Sequence, residues 1–263
     1  MEFARVKLDI EGQVALLTLN HPEVMNAVSS EMLGGLMNAL DEVEDARNGV
    51  RCLVMTGAGR GFCAGANLQG GPNGPAGSRD AGAVLETQYH PFLRRLRGLS
   101  MPFVTAVNGA AAGVGMSFAL MGDLVLCARS AFFLQAFRRI GLVPDGGSSW
   151  ILPRLVGRAR AMELSLLGEK LSAEKALEWG LVNRVYDDAE LMEKTMPLAR
   201  ELASGPTLAL GLIRRLYWES ADNTYEEQLN LERQMQRRAG NSSDFAEGVR
   251  AFLEKRPAKF TGQ

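Results

Sequence analysis

The sequence predicts an α/β fold that becomes wholly helical towards its C-terminal end. Short apolar runs alternate with helical periodicity over the first two thirds of the chain, glycines gather in the turns between them, and strand patterns cease from about Asp187 onward. Val14–Leu19, Cys52–Thr56, Phe103–Val107 and Leu124–Cys127 are runs bounded by Gly, Asn, Pro or Arg, as buried strands are. Between the first two, Ser30–Val43 sets Met32, Leu33, Leu36, Met37, Leu40 and Val43 at three- and four-residue spacing, which predicts an amphipathic helix.

The 25 positions between Arg97 and Asp123 hold no charge, long enough to raise a membrane helix. Pro102, Asn108, Gly109, Gly113 and Gly115 interrupt them, so they read as a strand, a glycine turn and a buried helix around Val114 to Met121. Residues 69–83 are too rich in Gly and Pro for regular structure and read as a functional lid rather than a linker. The helical part comprises Ala189–Ala203 with a kink at Pro197, Pro206–Ser220, Thr224–Ala239 opened by a Thr224/Glu227 capping box, and Ser243–Lys255. The expected organisation is a core over residues 1–200 and a helical C-terminal region over 201–263, packed on the core or on another subunit. No period repeats, so a solenoid is not supported.

Composition narrows the function. Lys plus Arg total 29 against 30 for Asp plus Glu, a net charge of −1 that offers nucleic acid or anionic membrane no bulk attraction. Cys52, Cys63 and Cys127 lie in apolar or small-residue runs, which suits buried thiols in a reducing compartment better than a disulfide frame or zinc site. Two histidines, His21 and His90, exclude a His-rich metal site. The start, Met1 to Arg5, is charged and lacks a signal-length apolar core, so a cytoplasmic chain beginning here is expected.

Glycine is the informative count. Of 29, nine fall in residues 57–82, four in 109–122 and three in 141–147, implying three sites defined by backbone. The first, Gly57–Leu68, fails as a dinucleotide fingerprint because Phe62 stands at its sixth position, and it lacks the Lys of a P-loop. What remains is the small-residue turn Cys63–Ala66, either a plain tight turn or a set of unshielded N–H groups. In the second, Ala106–Leu120, a strand ends at Val107 and a helix starts near Val114, its first N–H groups lacking intrahelical partners; close helix packing through Gly and Ala explains the residues equally well. In the third, Phe137–Trp150, Asp145 precedes Gly146-Gly147, as an N-cap or as a carboxylate raised by an apolar pocket to serve as a general base. Gly115–Ala119 also comes near a nucleophile elbow around Ser117, although Ala119 replaces the closing glycine and both histidines lie beside prolines.

In order, His21-Pro22 before Asn26-Ala27, Gly61–Leu68, Ala106–Gly115, Gly141–Gly147 and Phe252–Phe260 resemble the crotonase (enoyl-CoA hydratase/isomerase) superfamily over essentially the whole chain. The resemblance implies a spiral of ββα units, a C-terminal helical region that builds trimers or paired trimers, and acyl-CoA thioester substrates, with coenzyme A part of the substrate and no separate cofactor or metal. It places oxyanion-hole donors on the N–H groups of Ala66 and Val114, with Ala64, Gly65 and Asn67 beside them. Coenzyme A is expected near Val24–Ala27 and near Lys255, Lys259 and Phe260.

The positions of the hydratase glutamates hold Ser117 and Phe137, which disfavours ordinary hydration, while Asp145 matches the base of the isomerase branch. Together these imply an acyl-CoA isomerase that shifts a double bond or rearranges a ring-derived acyl group. Enoyl-CoA hydration is the alternative; a serine hydrolase using Ser117 and a non-catalytic acyl-CoA binding protein are remote ones. Tyr89, Phe92, Phe118 and Phe137 are expected to wall a pocket for a bulky or cyclic acyl chain.

Overall fold

A computed structural model of the chain describes residues 1–68 and 80–263. Eleven strands among them form two sheets. The larger has seven strands: β1 (Glu2–Phe3), β2 (Val6–Glu11), β3 (Val14–Leu19), β4 (Cys52–Gly57), β6 (Phe103–Val107), β8 (Leu124–Ala128) and β11 (Arg184–Tyr186). The smaller runs β10 (Lys170–Ser172), β9 (Phe132–Leu134), β7 (Ala110–Ala112) and β5 (Gly61–Cys63). From β3 to β11 the large sheet is parallel, and so are β5, β7 and β9 in the small one.

The strand pairs β4–β5, β6–β7 and β8–β9 each place one strand in each sheet, so the chain winds through both layers three times in a spiral. Every residue of β4 and β6 is buried, as expected of parallel strands covered on both faces, and this is why they read as unbroken apolar runs. All four strands predicted from apolar runs are present. β2 was not anticipated because its polar residues, Lys7 and Asp9, alternate with the buried Val6 and Leu8 at an antiparallel edge.

The first amphipathic helix is α1 (Ser30–Glu44), opened by the Ser29 hydroxyl accepting the Met32 N–H at 3.2 Å. Asp80 caps α2 (Ala81–Val84) through the Ala83 N–H, and one π turn (Leu85–Tyr89) leads into α3 (His90–Gly98). Of the expected lid at 69–83, residues 69–79 lie outside the described residues; its last three, from Ala81, are helical. After β7 comes α4 (Val114–Ala119), then α5 (Ser148–Leu167) and α6 (Ala173–Glu178). The expected end is helical throughout: α7 (Leu191–Ser204), α8 (Thr207–Ser220), α9 (Tyr225–Gly240) and α10 (Ser243–Glu254). Both halves of the Thr224/Glu227 capping box form. Cys52, Cys63 and Cys127 are buried free thiols, each pushed up to about 12 by burial. Among the described residues no helix is long and apolar enough to cross a membrane.

α7 packs across β3, β4, β6, β8 and β11 and so belongs to the main core, whereas α8 and α9 pack on each other around Leu212, Leu231 and Met235. One of the links that join this second cluster to the first is a buried arginine. Arg214 of α8 donates from Nε to Asp123 at 2.5 Å, and its other nitrogens donate to the carbonyls of Leu99 and Leu96 at 2.5 and 3.1 Å, closing the end of α3. Asp123 also accepts the Phe103 N–H at 2.7 Å. Burial raises the Asp123 carboxyl while Arg214 and that N–H pull it down. Replacing Arg214 by Ala leaves Asp123 buried without its cation, so urea unfolding is expected to show a loss of about 3–5 kcal/mol, against a near-neutral change for the exposed Arg215→Ala.

Candidate active site

Three adjacent parallel strands, β5, β7 and β9, end side by side, and each glycine-rich segment singled out in the sequence leaves from one of those ends. After β5 the chain runs Ala64-Gly65-Ala66; after β7 it turns through Gly113 into Val114. Gly65 has φ +104° and Gly113 φ +54°, both in the left-handed half of backbone space, and the two lie against each other. A Cβ on Gly65 would sit 3.0 Å from the Ala112 carbonyl oxygen and 3.9 Å from the Gly113 Cα, so a side chain there would wedge the turns apart.

The residues that follow these glycines carry the candidate donors. Val28 N–H donates to the Gly65 carbonyl at 2.7 Å and Asn67 N–H to the Val28 carbonyl at 2.8 Å. That pattern turns the N–H of Ala66, between them, to the opposite edge. Val114 is the first residue of α4, and its N–H has no partner within the helix. Neither N–H donates a hydrogen bond among the described residues.

The Val24–Ala27 segment lies beside the first turn for a reason the sequence reading missed. Met25 and Asn26 are both left-handed, and Asn26 is fully buried. Its amide nitrogen donates to the carbonyls of Ala58 and Gly61 at 2.9 and 2.8 Å, and its oxygen accepts the His21 N–H at 2.8 Å. Ala64 N–H then donates to Met25 O at 2.9 Å. Asn26 is therefore the clip that holds this segment against β5. An Asn before a small residue is a signal for left-handed backbone, but nothing local to it names partners more than thirty residues away.

The third strand end leads through Phe137 to Asp145. Arg138 and Arg139 donate to carbonyls at the C-terminal end of α5, which pins the connecting loop. Gly146, at φ +60°, packs on Ser117 and Val114. The Asp145 carbonyl accepts three bonds, from Ser117 Oγ at 3.0 Å, Ser148 N at 3.0 Å and Ser148 Oγ at 2.9 Å. Its main chain is thus anchored while its carboxylate is not: Oδ1 is out of contact with solvent and has no hydrogen-bond partner among the described residues. Burial pushes the group up to about 6, and the charge of His90 acts weakly in the opposite direction. Of the two readings of Asp145 drawn from the sequence, an N-cap or a raised carboxylate, the capping one is not seen. α5 starts after Gly147 with no side-chain cap, and its first turn uses the Asp145 carbonyl instead of the carboxylate.

Ser117 is fully buried, and its hydroxyl is spent on that carbonyl; no histidine bonds it among the described residues, so the elbow reading has no base to activate the serine. Phe137 is 6% exposed, with its ring edge 3.8 Å from where a Gly113 side chain would begin. Of the four expected aromatic walls, Phe92 and Phe118 are 0% exposed and belong to the core, their rings edge to face at 5.2 Å. Tyr89 and Phe137 alone among the four keep any exposed surface.

The C-terminal candidates lie elsewhere in the single chain. Lys255 is an exposed left-handed residue after α10, Lys259 N–H donates to Glu247 at 3.0 Å, and the Phe260 carbonyl accepts from the buried Arg51 at 3.2 Å. No hydrogen bond, ion pair or ring contact among the described residues joins these three to the strand-end turns.

The comparison with known proteins agrees with this arrangement. A family model described as Enoyl-CoA hydratase/isomerase matches residues 9–263. The chain is 50% identical to the 1,2-epoxyphenylacetyl-CoA isomerase of Escherichia coli (strain K12) and 42% identical to a probable enoyl-CoA hydratase of Rhodobacter capsulatus, in each case over 100% of both chains. Its fold superimposes on the crystal structure of an enoyl-CoA hydratase from Polaromonas sp. JS666 with a TM-score of 0.89 at 37% identity, covering 97% of this chain and 99% of the other. With its strand pairs divided between two sheets and its glycine turns meeting at three strand ends, the chain belongs to the enoyl-CoA hydratase/isomerase family, the crotonase superfamily.

Proposed function

We propose that the protein is an acyl-CoA isomerase that shifts a double bond, or rearranges a ring-derived acyl group, through a thioester enolate with Asp145 as its single base. The observation that carries this reading is the Asp145 carboxylate, unpartnered at Oδ1 and raised to about 6, on a loop packed against Ser117 and Val114. Removing a proton conjugated to a thioester builds negative charge on the carbonyl oxygen. Two fixed donors on that oxygen, the N–H groups of Ala66 and Val114, lower the barrier by an amount worth ~10²–10³ in rate for each donor. Asp145 takes the proton from one carbon and returns it to another, and a base near 6 is ionised at neutral pH while remaining a competent acid once protonated.

Coenzyme A arrives as part of the substrate, held along Val24–Ala27, with Ala64, Gly65 and Asn67 beside the thioester and Lys255, Lys259 and Phe260 contributing from the C-terminal end. The names of the relatives support an acyl group derived from phenylacetate breakdown as the leading choice, with hydration as the second reading. Hydration is disfavoured because Ser117 and Phe137 supply no carboxylate pair. Residues 1–200 act as the acyl-CoA core and 201–263 as the assembly region of a cytoplasmic homotrimer or dimer of trimers. Phe245, Val249, Phe252 and Leu253 on α10 are exposed apolar residues available for that contact.

Asp145→Asn is expected to lower turnover of a 3-enoyl- or 2,5-dienoyl-CoA by roughly 10²-fold or more while leaving ester binding intact, read by ultraviolet absorbance and by calorimetry; unchanged turnover overturns the assignment. For the wild type, kcat/KM is expected to fall as pH drops through about 6, where an ordinary aspartate would hold activity to near 4. Because the folded-state pKa is raised, ionising Asp145 removes stability as pH rises from about 4 to about 6, and the loss is constant above that. Asp145→Asn should therefore raise the Tm at pH 7 and lose that advantage below pH ~4.

A further inference from the structure

Lys255 and Lys259 carry free cationic heads on a main chain that is held at almost every step. α10 ends at Glu254, Lys255 takes the left-handed conformation at φ +53°, and the chain then runs back along the helix it has just left. Glu247 receives the first part of this return. Its carboxylate accepts Arg256 Nη1 and Nη2 at 2.7 and 3.1 Å and the Lys259 N–H at 3.0 Å. Asp244, three residues earlier and so on the same face of α10, receives the rest. One of its oxygens accepts the Thr261 N–H at 2.6 Å and the Thr261 hydroxyl at 3.2 Å, and the other accepts the Gly262 N–H at 2.8 Å.

On its other side the returning strap rests on the core. Arg51, 8% exposed just before β4, donates from Nη1 to the Phe260 carbonyl at 3.2 Å, from Nε to Thr207 Oγ1 at 2.6 Å and from Nη2 to the Gly205 carbonyl. Gly262 lies against that guanidinium at φ +90°, and a Cβ there would fall 3.0 Å from Arg51 Nε and 3.1 Å from Thr207 Oγ1. Asp244 is 3% exposed, and Arg256 with the Lys259 N–H holds the Glu247 carboxyl down at about 2. Glu247 and Glu254 both pair with Arg256, so the unpaired cations of the turn are Lys255 and Lys259, each exposed and without an ion-pair partner among the described residues. A cavity of about 460 Å³ opens beside Lys259, walled by Asp244, Glu247, Arg256 and Thr261 among others.

We propose that Glu247 and Asp244, backed by Arg51, are positioning residues for coenzyme A: they pre-form the strap so that Lys255 and Lys259 meet the phosphates of the ester without being ordered at the moment of binding. The proposal rests on the reading above that these lysines help to hold coenzyme A. Neither carboxylate touches the ester. Their charge has the wrong sign for phosphate, and both are spent on the chain itself. Fixing the main chain beforehand removes an ordering cost from binding, so the gain falls on affinity for the phosphorylated end and not on the chemistry at the thioester.

The test is calorimetric binding to the full-length protein of phenylacetyl-CoA and of S-phenylacetyl-pantetheine, which keeps the thioester and lacks the phosphates. Glu247→Gln removes the charge that holds Arg256. Gly262→Ala, outside every helix and strand, lifts the strap from Arg51 with little risk to folding. Each is expected to raise Kd for the coenzyme A ester roughly tenfold while leaving Kd for the pantetheine ester within about twofold. The double variant Lys255→Ala, Lys259→Ala is the reference and should weaken the coenzyme A ester at least as far. Losses shared equally by both esters overturn the positioning role, because they report general damage. Unchanged affinity in Glu247→Gln and Gly262→Ala beside an impaired double variant overturns the positioning role alone. An unimpaired double variant overturns the C-terminal coenzyme A contacts together with it, and a wild type that binds neither ester overturns the acyl-CoA reading as well.

Discussion

The close approach of Gly65 and Gly113 is the constraint on which the site depends. Parallel pairing of β5 with β7 brings the two strand ends together, but pairing alone would leave side chains between the turns that follow. With glycine at both positions the backbones meet, one residue before Ala66 and Val114, whose N–H groups donate to no described residue. The geometry is made wholly of main chain, so it tolerates valine or alanine at the donor residues while forbidding a Cβ at the residues before them. In the proposed role of oxyanion donors, N–H groups held this way would need no reorganisation when charge develops.

Asp145 is held by the complementary strategy. Buried polar groups ordinarily pair with one another, and here two fully buried serines, Ser117 and Ser148, both spend their hydroxyls on the Asp145 carbonyl. The main chain is fixed, and the carboxylate is left without the partner that would have lowered its pKa. An aspartate that capped α5 would be more stable and nearer its ordinary pKa, and so less suited to the proposed role of base. Gly146 and Gly147, both left-handed, start α5 from the backbone and leave the carboxylate out of that role. The cost in stability sits on one group, against a core that spans both sheets and takes in α7.

Local pattern exposed a good deal of this. The long parallel strands, α1 and the C-terminal helices were legible because their periodicity or unbroken apolarity is written within a dozen residues, and the Thr224/Glu227 box because a cap is a contact between near neighbours. The three-residue strands of the small sheet were not legible. Gly61–Cys63 and Ala110–Ala112 are too short and too small in side chain to show a period, and their pairing joins segments about fifty residues apart. The aromatic walls were half misjudged for a related reason: Phe92 and Phe118 are apolar and near the site, and only the packed core decides that both face inward.

What the sequence by itself determined was the inventory: an α/β chain with a helical end, three glycine clusters, and one aspartate set before the glycine pair of the third cluster. Glycine, proline and hydrophobic spacing act over a few residues, so their meaning survives without knowledge of the fold. Tertiary structure decided which N–H groups stay unpaired, that Asn26 clips Val24–Ala27 to β5, and that Asp145 does not cap α5 while its Oδ1 is buried without a partner. Each of these depends on groups tens of residues apart in the chain, brought together by strand pairing and burial, and on which of them water no longer reaches.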